Sequence, residues 1–87
     1  MINYFICENF YKAALENSVS GNLTAAHLTD LICGLNSDSH KLGLAAVCAE
    51  AQDFAYRRWQ AEHSRERALS ADFVQSVERL TQYIRNA

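Results

Sequence analysis

The pair of residues whose types could do nucleophilic chemistry is Cys33 and His40. Both lie in the stretch LICGLNSDSHKLG, Leu31 to Gly43, together with two of the three glycines. A thiol becomes a catalytic nucleophile when a base sits beside it and a third group orients that base. Here seven positions separate thiol and imidazole. A continuous helix would place their Cβ atoms roughly 10 Å apart along the axis, too far for a direct hydrogen bond. The polar run NSDS between them argues for a break, which separates them further. The expectation is that the chain is not an enzyme.

Metal chemistry has equally little to work with. His27, His40 and His63 share no ligand spacing with one another or with Cys7, Cys33 and Cys48. Three cysteines without a C-x-x-C pair suggest neither a disulfide framework nor a zinc site. Small buried hydrophobes are the ordinary reading for such thiols, and solvated side chains for such histidines. No glycine-rich loop is present to cradle a phosphate. No cofactor and no metal are expected.

The charge balance excludes other partners. Eight basic residues stand against ten acidic ones, a net charge of −2. Nucleic-acid binding calls for a clustered basic face. The densest basic run, RRWQAEHSRER from Arg57 to Arg67, carries two glutamates and reads as a solvated helix face. The first residues, MINYFICENF, lack a basic leader and are interrupted by Glu8. No apolar run approaches the ~20 residues of a membrane span. A reducing cytoplasm is the expected compartment, and no membrane contact is expected.

The elements that position these residues are helices. The 87 residues contain no proline and three glycines, so little interrupts a helix from within. The first segment runs from about Ile2 to Ser18, with Ile2, Phe5, Ile6, Phe10, Ala13 and Ala14 forming one apolar stripe. Gly21 can close it in a left-handed conformation, and Asn22 can cap the next. The second runs from about Leu23 to Asn36 on Leu28, Leu31, Ile32 and Leu35. Ser37 or Asp38 would cap the third, from about Ser39 to His63, with Leu42, Ala45, Ala46, Ala49, Phe54 and Trp59 marking its buried side. Its charged C-terminal half is expected to project or fray. Ser70 is the expected N-cap of the fourth, and Leu69 can staple onto Val74. Phe73, Val77, Leu80 and Ile84 carry its stripe. Together these predict one all-α domain over residues 1–87, a small antiparallel up-down four-helix bundle.

The aromatic residues raise the question of a binding surface. Tyr4, Phe5, Phe10 and Tyr11 crowd the first segment, and Tyr56 and Trp59 sit with Arg57 and Arg58 on the third. Core packing accounts for most of them. Tyr, Trp and Arg are also the residues enriched at protein-contact hot spots.

The stretch from Cys33 to Gly43 resembles the motif of histidine phosphotransfer (HPt) domains of bacterial two-component signalling. These are helical bundles with a phosphorylatable His in a motif close to H-x-L-K-G-S-x-x-x-L-G. Leu35 falls on the motif leucine and Leu42-Gly43 on its closing pair. LAAVCAEAQDF looks like the helix that follows, and the SGNL turn near Gly21 like the turn that precedes. The resemblance covers the second to fourth segments. It departs at the chemistry: Cys33 stands at the phosphohistidine, Asn36 replaces the lysine, and Ser37 replaces the glycine.

The resemblance thus implies the fold and a docking surface without phosphoryl transfer. The leading expectation is a non-enzymatic interaction module that binds a receiver domain or sensor kinase through Cys33, Asn36, Ser37, His40 and Lys41. Two alternatives stay open. One is an active phosphotransfer protein that uses His40, which precedes Lys41-Leu42-Gly43. The other is a helical homodimer, which could hide Tyr4, Phe5 and Phe10 of its apolar first helix in a self-interface, or a small chaperone or assembly factor.

Overall fold

The structure, a computed structural model, describes residues 4–21, 43–65 and 68–86. The described residues form three α-helices and no strand: α1 Tyr4–Ser20, α2 Leu44–Glu62 and α3 Ala71–Arg85. The expected all-α class is therefore observed. The second helical segment of the sequence, about Leu23 to Asn36, lies outside the described residues.

The helix ends follow local chemistry. Gly21 has φ +75°, and its N–H donates to the Asn17 carbonyl at 2.8 Å, the left-handed stop expected for α1. Gly43 is the N-cap of α2 at φ +83°, ψ 145°, a conformation that strongly favours glycine. The helix thus starts later than the expected Ser39. Ser70 is the N-cap of α3, but its hydroxyl makes no capping hydrogen bond. Asp72 in the first turn and Arg85 in the last complement the dipole of α3.

One core joins the three helices. α1 contributes Cys7, Phe10, Tyr11, Ala13 and Ala14. α2 contributes Val47, Cys48, Ala51, Ala55 and Trp59, and α3 contributes Phe73, Val77, Leu80 and Ile84. The stripe expected on α3 is the observed one. On α2 the phase differs, since Ala45, Ala46 and Ala49 are exposed while Val47, Ala51, Ala55 and Trp59 form a buried row at four-residue steps. Phe5, expected in the stripe of α1, is 72% exposed. The C-terminal half of α2 is docked through Trp59, so it does not project as expected.

The contacts define the helix directions. Tyr4 meets Phe54, while Tyr11, two turns later, meets Glu62. α1 and α2 therefore run in the same sense. Gln52 meets Thr81, while Trp59 meets Phe73, so α3 runs opposite to α2.

Buried polar groups are paired across the helices. The Ser76 hydroxyl lies 2.6 Å from the Ala14 carbonyl oxygen and 2.8 Å from Asn17 Oδ1, sharing its proton between them. Gln52 Nε2 donates to Thr81 Oγ1 at 2.8 Å, which in turn donates to the Val77 carbonyl at 2.9 Å. Among the described residues no buried side-chain nitrogen or oxygen lacks a hydrogen-bond partner. Such satisfaction matters because an orphaned buried group costs about 1–3 kcal/mol.

Candidate functional site

The expected docking residues Cys33, Asn36, Ser37, His40 and Lys41 lie outside the described residues. The described part of the molecule presents a different feature, a groove between the first turns of α1 and the middle of α2. It has a volume of about 620 Å³ and is lined by Tyr4, Cys7, Glu50, Asp53, Phe54, Arg57 and Arg58.

Helical spacing builds one wall. Positions 50, 53, 54 and 57 follow the i, i+3, i+4, i+7 pattern and share a face of α2. Residue 58 lies beside them, one turn beyond Phe54. The other wall is the start of α1, which is staggered along α2 so that its first residues lie beside the middle of α2, where Tyr4 packs edge-on to Phe54 at 5.5 Å. Phe5 extends this aromatic edge, 6.3 Å from Tyr4 between ring centres.

The charges on this face are sorted along α2. Glu50 and Asp53 lie toward its N-terminus, and Arg57 and Arg58 toward its C-terminus. Arg57 pairs with Asp53 at 3.1 Å, with both side chains largely in solvent. Arg58 donates from Nε to Glu62 Oε1 at 2.8 Å, and its Nη1 lies 3.5 Å from the Tyr4 hydroxyl. Its guanidinium also sits 5.7 Å from the centre of the Tyr11 ring. Each acid–base pair has a helical-stability explanation, although exposed pairs contribute little.

Tyr11 donates its hydroxyl proton to Glu62 Oε2, one turn beyond Arg58, at 2.7 Å. Burial, then the hydrogen bond and charge of Glu62, push the Tyr11 phenol up to about 12. The bonds from Tyr11 and Arg58 hold the Glu62 carboxyl below its usual range. Burial pushes the Cys48 thiol up, against a weaker pull from Arg85, which keeps it a protonated core residue. Cys7 is 6% exposed. His63 is half-buried rather than solvated. Its ring stacks on Trp59 at 4.1 Å and its Nδ1 lies 2.8 Å from the Trp59 carbonyl oxygen. Among the described residues, no group of three or more His, Cys, Asp or Glu side chains could hold a metal ion.

The groove offers aromatic edges and sorted charges to its surroundings. Of the aromatic residues read from the sequence as a contact surface, Tyr4 is exposed in the groove wall and Phe5 is exposed against Tyr4. Phe10, Tyr11 and Trp59 belong to the core. Glu50, Asp53 and Phe54 were not singled out as binding residues, although their spacing places them on one face.

No described helix is long and apolar enough to cross a membrane. The chain matches no protein-family model, no curated protein and no solved structure.

Proposed function

We propose that this protein is a non-enzymatic protein-interaction module. The observation that carries the reading is the exposed aromatic edge of Tyr4 and Phe5, 57% and 72% accessible, beside the Arg57 and Arg58 side of the groove. Large apolar side chains left in water next to arginines are typical of binding hot spots. Burial of Cys7 and Cys48 suits a reducing compartment, and the cytoplasm is the proposed one.

In this reading the whole chain is an up-down four-helix bundle. Helices α1 and α2 run in the same sense, and a helix over the apolar pattern from Leu23 to Asn36 would supply the opposite-running element between them. The resemblance to phosphotransfer domains then supplies the partner class, a receiver domain or a sensor kinase.

Binding assays with purified receiver domains and sensor kinases test the reading. Loss of binding in Phe5→Asp would assign the groove edge. Loss in Asn36→Arg would assign the face implied by the resemblance. Failure of the wild-type chain to bind any of them would overturn this partner class. Incubation with a phosphorylated receiver domain tests the alternative. An acid-labile label that disappears in His40→Ala would establish phosphoryl transfer and overturn the non-enzymatic reading.

A further inference from the structure

We propose that the groove docks a second copy of this chain, with a two-fold axis passing beside Phe54. The proposal rests on reading this face as a protein-binding surface, and it names the occupant. The charge on α2 changes sign about Phe54: Glu50 and Asp53 precede it, and Arg57 and Arg58 follow. A two-fold axis perpendicular to α2 at that point turns the helix end for end. The acidic end of each copy then meets the basic end of the other, and the match occurs twice. A partner of one charge sign would meet repulsion at one end of the groove, whereas a second copy sets Asp53 against Arg57 at both ends, Arg58 being already held by Glu62.

Asp53 and Arg57 carry most of this argument. Their side chains are 62% and 79% exposed and bridge each other at 3.1 Å. Because an exposed pair of this kind contributes little, exchanging it for two pairs across an interface sacrifices little. Phe54 lies between the charged ends, with Tyr4 packed on it and Phe5 on Tyr4, the apolar material such an interface needs.

Sedimentation equilibrium on the full chain tests the proposal through a charge exchange. The wild type is expected to dimerise as concentration rises into the high micromolar range. Asp53→Arg and Arg57→Glu should each weaken self-association about tenfold or more, because each places like charges at both ends of the interface. An equimolar mixture of the two variants should regain most of the lost affinity, since every facing pair is again opposite in sign. Circular dichroism checks that both variants remain folded, and Phe5→Ser should weaken the dimer without altering this charge pattern.

A wild type that stays monomeric overturns the proposal, as does a mixture that associates no better than its components. The two readings fail separately. A monomer that binds a receiver domain through the groove retains the interaction module and removes the self-docking. A charge-exchangeable dimer that binds no receiver domain or kinase does the reverse.

Discussion

Tyr11 donates a hydrogen bond to Glu62 at 2.7 Å across 51 positions of sequence, tying the middle of α1 to the last turn of α2. The bond holds down a helix end whose sequence is otherwise polar, and Trp59 anchors the same turn from the core side. Tyr11→Phe keeps the ring against Phe73 and removes only the hydroxyl. Hydrogen bonds to charged groups contribute about 1.5–3 kcal/mol, less where water competes, so a loss of about 1 kcal/mol is expected. Thermal denaturation should show a Tm lower by about 4–8 °C. An unchanged Tm would mean that the tie contributes nothing.

The same pair sets a pH dependence. The Glu62 carboxyl is held below its ordinary value of 4.5, so the folded chain keeps it ionised where the unfolded chain has begun to protonate it. Its contribution is full above the unfolded value and disappears as pH falls through the lower folded value. The stability gap between wild type and Glu62→Gln should therefore be open at neutral pH and close below about pH 4.5. At the alkaline end the sign reverses. The Tyr11 phenol is raised from 10.0 to about 12, so its contribution holds below pH 10 and fades as pH approaches 12. A phenolate absorbance titration of Tyr11→Phe should lack a group that ionises near 12.

Ser76 is the polar junction between α3 and α1. Its hydroxyl reaches both the Ala14 carbonyl and Asn17 Oδ1, and all of this is buried. Ser76→Ala leaves the Asn17 amide buried without that partner, at a cost of about 1–3 kcal/mol. Adding Asn17→Ala removes the orphaned group, so the double variant should lose less than the sum of the two single losses. Urea denaturation of the four proteins measures the coupling. Strict additivity would show that the two side chains do not interact.

Gly21 ends α1 at φ +75°, and an added Cβ would meet nothing within 4 Å. The cost of Gly21→Ala is therefore conformational rather than steric crowding by neighbours, about 1 kcal/mol. Gly21→Asn should cost less, because asparagine tolerates the left-handed region better than alanine. Equal losses in chemical denaturation would contradict this explanation.

The fold was legible where large side chains mark a single stripe. Phe73, Val77, Leu80 and Ile84 are large, evenly spaced and flanked by polar residues, and every one of them is buried. The opening of α2 was misread because LAAVCAEA places alanine on every face. Alanine packs or faces water at little cost, so Ala45 and Ala49 look in sequence like the buried Ala51 and Ala55. Phe5 was misplaced for a related reason, since the first segment carries apolar residues around more than one side of α1. The groove depends on how α1 is staggered along α2, and no local pattern in either helix encodes that. The Tyr11–Glu62 tie is likewise invisible to periodicity, because it joins two polar atoms far apart in the chain.

Phe73 of α3 packs against aromatic rings of both α1 and α2. Its ring is 1% exposed and lies 5.8 Å from Tyr11 of α1 and 6.3 and 5.9 Å from Tyr56 and Trp59 of α2. Removing it would leave a cavity bordered by three rigid rings, which cannot collapse inward as flexible aliphatic chains can. Phe73→Ala should then fall in the range of about 3–5 kcal/mol for buried aromatic truncations. In a domain this small that is a large share of a total of about 5–15 kcal/mol. Phe73→Leu keeps most of the volume but loses the ring contacts, and should cost about half as much. Trp59 is the chain's single tryptophan and stacks on Phe73, so its fluorescence reports the site directly. The emission should shift to longer wavelength in Phe73→Ala before global unfolding begins. A Phe73→Ala protein with wild-type emission and stability would show that the three helices are held together elsewhere.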